Sequence, residues 1–330
     1  MFIFLLMAGS MQAQSGEAPL TDELLSTIQS DPIRLTGIFQ TFGDFAFTDA
    51  DDLRGQSFRI GTARLGLAGG LDDRIRYRLQ FRLESQPNLL DAWLQWQMDD
   101  WVALRVGAQK PQVSREQIYS TGTTDFMRRA QLTGRQIYSR EIGLSLHGER
   151  DGFGYNVGMY NGVGVQTNSD NRFQYTARGT WRGDLREGTE LQLGASTIAG
   201  TCDERCVPGI AQPVDGQRLS LGGDLRVQDE EWYLAAEYLF TDAERANIPD
   251  EQIHGLLASA GFHISDEARI QARYDWLVYD VAATENRIYT VGYDRNLSRI
   301  LRLQVEFHLM DDEQVPNLQA GMSGNFQIRF

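Results

Sequence analysis

The chain has 330 residues, a net charge of −14, 42% hydrophobic residues, 33 glycines and only 8 prolines, a length that suits one large domain or two ordinary ones. Past the first dozen residues no apolar run approaches the 18 or so that a membrane helix needs; this excludes a helical membrane protein but not a barrel, whose lipid-facing and lumen-facing residues cancel in any window average. The acidic excess argues against nucleic acid as the main partner, and the positive charge is almost all arginine, with Lys110 the single lysine.

The N-terminus opens with an apolar Phe2 to Met7 and then Ala8-Gly9-Ser10-Met11-Gln12-Ala13. Small residues there suit signal peptidase, so residues 1–13 read as a signal peptide. Its hydrophobic core is short and no Lys or Arg precedes it, as in a signal whose start lies further upstream; the alternative is a short buried strand or helix. Residues 14–32 read as a periplasmic lead-in, with Leu24, Leu25 and Ile28 at the spacing of one or two helical turns.

From residue 33 onward the pattern has period two. Sixteen strands are expected at about 33–45, 57–69, 74–84, 89–98, 101–110, 140–148, 153–161, 172–183, 189–199, 218–228, 231–241, 253–264, 268–279, 287–295, 300–310 and 318–330. The second changes phase near Gly61, which points to a bulge. The third is the clearest: Arg74, Arg76, Arg78, Gln80, Arg82 and Glu84 alternate with Ile75, Tyr77, Leu79, Phe81 and Leu83. Alternation at this period places the two sets on opposite faces of a strand. Segment 172–182 repeats the pattern, with Gln174, Thr176 and Arg178 opposing Phe173, Tyr175 and Ala177, and 300–309 and 318–330 do the same.

The connections support the same reading. Short ones, such as Gly70–Asp73, Asp99–Asp100 and Glu149–Gly152, alternate with longer ones at 46–56, 111–139, 162–171, 200–217, 242–252, 280–286 and 311–317; the exception is a tight turn at 85–88. Short turns at one rim and long loops at the other are expected of an outer-membrane barrel with both termini in the periplasm. The fold class is therefore all-β: a closed antiparallel transmembrane barrel of about sixteen strands. A soluble sandwich also alternates, but its strands average about five or six residues, and sixteen faces of ten or eleven would make an oversized core. In lipid every backbone N–H and C=O must pair within the protein, which forces closure. Sixteen strands enclose water, so a polar inner wall is expected.

Two cysteines, Cys202 and Cys206, sit in the long connection 200–217. A disulfide that staples this loop is favoured over part of a metal site, because two further convincing ligands are missing.

Several segments resemble the phosphate-selective porin O and P family of Gram-negative bacteria. They are Phe58-Arg59-Ile60-Gly61-Thr62-Ala63-Arg64-Leu65-Gly66-Leu67-Ala68-Gly69, Leu90-Asp91-Ala92-Trp93-Leu94, and Leu104-Arg105-Val106-Gly107-Ala108-Gln109-Lys110-Pro111-Gln112-Val113-Ser114-Arg115-Glu116. The terminal Phe330 is similar to the signal read by the barrel-assembly machinery. The resemblance implies a homotrimer in the outer membrane, among lipid and lipopolysaccharide, with the loop at about 111–139 folded inward to narrow each pore. It also implies an arginine ladder, matched in kind by Arg74, Arg76, Arg78 and Arg82, with Lys110 and Arg115 at the start of the loop and Arg128 and Arg129 within it. Arg105, Arg178, Arg226 and Arg273 fall on lumen positions of other strands. One lysine cannot assemble a multi-lysine phosphate site.

The function expected is passive diffusion of small hydrophilic solutes, with a preference for small anions, and no cofactor. An arginine row in a confined aqueous channel focuses a positive field and raises the local anion concentration. Two readings compete with it. The arginines instead pair with Glu84, Asp91, Glu141, Glu190, Glu237, Asp275 and Glu306 and stiffen the wall, or the barrel is an enzyme or a closed adhesive protein. His147, His254, His263 and His308 lie on different strands without a recognisable catalytic motif.

Overall fold

The computed structural model describes residues 29–30, 33–48, 55–84, 88–168, 170–203, 205–210, 214–245, 248–315 and 317–330. The expected signal peptide and most of the expected lead-in lie outside these residues, as do residues 85–87 of the turn expected at 85–88. Of the lead-in, Gln29–Ser30 (β1) forms a two-residue strand paired with Ile33 and Arg34.

Sixteen strands make the wall: β2 (Ile33–Ala46), β3 (Gln56–Gly70), β4 (Ile75–Arg82), β5 (Asn88–Asp99), β6 (Val102–Gln109), β7 (Glu141–Arg150), β8 (Phe153–Tyr160), β9 (Gln174–Arg186), β10 (Thr189–Cys202), β11 (Gly216–Gln228), β12 (Trp232–Ala243), β13 (Glu251–Ser265), β14 (Ala268–Tyr279), β15 (Thr284–Asn296), β16 (Leu301–Asp312) and β17 (Gln319–Arg329). Each pairs antiparallel with its chain neighbours. β17 closes the ring on β2, in a register running from Gly321 opposite Ala46 to Arg329 opposite Ile38. Phe330 and Gly37 then exchange two backbone hydrogen bonds, 2.9 and 3.1 Å. Closure leaves no sheet edge to be satisfied by lipid.

The burial pattern is inside out. Gln40, Asp44, Gln304 and Glu306 are buried, whereas Phe58, Leu94 and Val291 are 84%, 56% and 54% exposed. Lumen carboxamides and charges bond to one another, while the apolar alternates face outward, where the solvent is lipid. The register between β2 and β3 slips between Gln40 and Thr41, leaving Gly61 without a partner. This is the bulge that the phase change predicts, and it turns both Arg59 and Arg64 inward although one is odd and the other even.

Two connections enter the barrel. The longest, residues 110–140, carries two short helices, α1 (Arg115–Ile118) and α2 (Gln131–Gln136), with a 3-10 turn at Thr121–Thr123 between them. Residues 205–210 of the second include Cys206, which is disulfide-bonded to Cys202. Val207 and Ile210 bury themselves beside Ala243, Ile253 and Leu277.

Candidate functional site

The inward loop begins with a serine N-cap. The Ser114 hydroxyl accepts the Gln117 N–H at 3.1 Å, satisfying one of the donors that a helix start leaves unpaired. An apolar seam of Val113, Ala130, Leu132 and Ile137 then docks on Ile198, Leu239 and Leu257 of the wall.

Polar contacts pin the same side of the loop. Three lumen carboxylates accept loop backbone N–H groups: Glu237 from Glu116 at 2.9 Å, Glu306 from Met127 at 2.6 Å, and Asp275 from Gln131 at 2.9 Å. Asp125 of the loop pairs with Arg226 and with Arg269, each at 2.9 Å. Burial pushes the Asp125 carboxyl up, but Arg226 and Arg269 outweigh it and hold it below its ordinary value. Arg273 donates to the Arg128 carbonyl at 2.7 Å and stacks over Phe126, and Arg128 pairs with Asp44. The arginines of β11 to β16 that meet the loop are therefore tethers.

The other side of the loop faces β3 to β5 and carries a different charge balance. Arg64 and Arg82 are cross-strand partners, a like-charge juxtaposition that costs stability in a sheet. Glu84 offsets it, 3.3 Å from Arg82, and Arg64 donates to the Thr121 hydroxyl at 3.0 Å. Arg78 and Arg140 share Asp91. Arg129 spends its donors on the carbonyls of Glu116 and Tyr119, which satisfies hydrogen bonds without cancelling charge. Lys110 does the same with the carbonyls of Gln117, Ile118 and Tyr119. Burial, then Arg129 and Arg140, push its pKa down to about 6.

A cavity of about 510 Å³ opens between loop and wall; its lining includes Arg64, Arg82, Arg129, Arg135 and Arg140 and no carboxylate. A second, of about 600 Å³, is lined by Arg105, Arg115, Arg178 and Arg182 but also by Asp100, Glu149 and Asp224. There Arg178 pairs with Asp224 at 2.7 Å, Arg105 stacks over Trp93 and bonds Gln95, and Arg115 lies over Tyr119.

The twelve cationic positions expected from sequence therefore part into groups. Arg82 and Arg129 line the arginine cavity, with Arg78 and Lys110 within electrostatic reach through Asp91, Arg64 and Arg140. Arg105, Arg115 and Arg178 line the second cavity. Arg128, Arg226 and Arg273 serve the loop. Arg76 is exposed on β4, and Arg74 falls outside the strand, in the exposed turn before Ile75. Sequence reading missed Arg64, Arg135 and Arg140. The signal for Arg64 was the Gly61 phase change, which moves it to the lumen face. Of the proposed wall pairings, Glu84 and Asp91 bond arginines, whereas Glu237, Asp275 and Glu306 hold loop amides and Glu141 holds those of Gly162 and Gly164.

The histidines are dispersed. His147 and His263 line different cavities, His254 bonds the Tyr238 hydroxyl at 2.7 Å, and His308 bonds Thr290 at 3.2 Å. Among the described residues no group of three or more His, Cys, Asp or Glu is arranged to hold a metal.

A family model described as phosphate-selective porin O and P matches residues 33–214. No curated protein matches the sequence. Among solved structures, an anion-selective porin from Comamonas acidovorans superposes with a TM-score of 0.68 at 14% identity, covering 90% of this chain and 99% of that one. The trimer form of OmpT from Vibrio cholerae gives 0.66 at 11%, covering 90% and 99%. OmpF of Salmonella typhi, in complex with daunomycin, gives 0.64 at 12%, covering 90% and 97%.

Proposed function

The chain belongs to the phosphate-selective porin O and P family, and from that premise we propose that this outer-membrane porin of a Gram-negative bacterium selects small anions at the gap between its inward loop and β3 to β5. One observation carries the reading: five arginines and no carboxylate line that cavity, in a protein whose net charge is −14. Arginine stays charged at any physiological pH and offers a carboxylate or phosphate two parallel N–H groups. Low-dielectric walls focus the field of the cluster. Contacts that are many and individually weak let an anion pass without being trapped.

The arginines belong to two elements that meet only in the folded barrel, Arg64 and Arg82 on the wall, Arg129, Arg135 and Arg140 on the loop. The loop is held to the far wall by Asp125, Glu237, Asp275 and Glu306, so the cationic side is left facing the gap. With Lys110 alone among lysines, anion preference rests on guanidinium groups, which favours anions in general over a dedicated phosphate site.

The assembly proposed is a homotrimer, as the trimer form of the Vibrio cholerae relative is described. Insertion through the barrel-assembly machinery is proposed to use Phe330, whose ring packs over Gly37 where β17 closes on β2. The outward apolar surface then meets lipid and lipopolysaccharide.

The test is a planar bilayer separating two concentrations of KCl. An open channel whose zero-current potential has the sign set by chloride supports the proposal. A potential set by potassium refutes anion preference, and the absence of conductance from folded protein favours a closed or enzymatic barrel.

A further inference from the structure

Arg218 is a buried guanidinium that neither cavity uses. It sits on β11 at 3% exposure and joins three separate pieces of chain. Nη1 donates to the Gln174 side-chain oxygen at 2.7 Å and to the Cys206 carbonyl at 2.6 Å, and Nη2 donates to the Gln136 carbonyl at 2.5 Å. Gln136 is the last residue of α2. Cys206 is one end of the disulfide.

Residues 205–210 lean on α2 by further contacts. The Gly209 N–H donates to the Arg135 carbonyl at 2.6 Å, and the Tyr138 hydroxyl donates to the Arg205 carbonyl. Pro208 lines the arginine cavity itself. On the wall, Gly255 leaves room for Leu132 and the Gln136 side chain.

We infer that the Cys202–Cys206 disulfide, residues 205–210 and Arg218 form a brace that positions α2 and thereby sets the aperture of the arginine gap. A helix of six residues has too few internal hydrogen bonds to hold its own shape or place. Its position is then decided by what packs on it. A disulfide across a short loop removes conformational freedom from the piece that does the packing. Because α2 carries Arg135 and is flanked by Arg129 and Arg140, movement of α2 moves the cations that line the gap. The inference rests on the channel reading, not on the sign of its ion preference.

Two variants test it by different routes. Cys202→Ser with Cys206→Ser removes the disulfide. Gly209→Val keeps the disulfide but lifts residues 205–210, since a Cβ there collides with the Tyr279 hydroxyl and the Arg135 carbonyl oxygen. Barrel folding is checked by heat-modifiable mobility, and single-channel conductance is recorded in symmetric KCl. Both variants are expected to raise conductance roughly twofold and to add open-channel noise, because the narrowest polar segment limits the current. If either folded variant conducts with wild-type amplitude and noise, the brace is overturned. The zero-current potential, read from the same channels, tests the anion proposal separately.

Discussion

At the scale of single residues, the cations of this barrel divide by what accepts their hydrogen bonds. Arg226 and Arg269 share the Asp125 carboxylate and are spent on holding the loop. Removing that carboxylate by Asp125→Asn leaves the largely buried Arg226 without an ion-pair partner and Arg269 with Asp294 alone, a change that costs about 3 kcal/mol when a buried pair is broken from one side. The variant is expected to unfold at lower temperature and to show a noisier open channel; wild-type noise would contradict the tether. The tether also has a sign in pH. Its carboxyl is held below the ordinary 3.8, so its stabilisation is present above about that pH and is lost as pH falls through the lower, folded value. Noise should stay flat from neutral pH down to about 4 and rise below it. Lys110 runs the other way: its pKa is pushed down to about 6, so its charge is present below that value and fades above it. Anion preference should weaken modestly across that range in the wild type, and Lys110→Met should abolish the step. Which arginines would be tethers was not legible in the sequence, because Asp125 sits in a loop with no periodicity and reaches Arg226 and Arg269 across the lumen.

At the scale of elements, the strands were legible and the loop helices were not. The sixteen expected strands are all present, with ends shifted by three residues at most, as where β15 begins at Thr284 instead of 287. Period-two alternation survives because one face meets lipid and the other water, so each position has a single allowed polarity. The inward loop obeys no such rule. Its one local signature, Ser114 three residues before Gln117, was present and went unread, and a second signature lay in the wall. β12 places Tyr233, Ala235 and Leu239 on its lumen face beside Glu237, and Leu239 is buried at 2% under the loop. Large apolar side chains on the lumen face of a strand in a water-filled barrel mark where something docks inside. The strand leading into the loop depends on Gly107, whose φ of 122° is open to glycine and whose added Cβ would strike the Ala92 carbonyl oxygen. Gly107→Ala is expected to lower the yield of folded barrel severalfold, read as the heat-modifiable band after refolding; an undiminished band would show that β5 and β6 can separate to admit a methyl group.

At the scale of the whole molecule, net charge and pore charge have opposite signs, and the fold explains how both hold. Acidic residues crowd the turns and loops and bind the far side of the inward loop, while the gap beside β3 to β5 is lined by five arginines and no carboxylate, with Glu84 and Asp91 pairing Arg82 and Arg140 from behind the lining. One cation about 5 Å from a passing anion in a water-filled gap is worth about 0.8 kcal/mol, roughly a fourfold change in partition. Salt weakens this, so selectivity should decline as ionic strength rises. The most direct measurement compares zero-current potentials in a KCl gradient for Arg82→Gln with Arg129→Gln, and for Arg226→Gln, each in folded barrels. The account predicts that the first pair shifts the potential toward potassium by the equivalent of roughly tenfold in permeability ratio, and that the second leaves its sign and size nearly unchanged. An unmoved potential in the first, or the larger shift in the second, would contradict it.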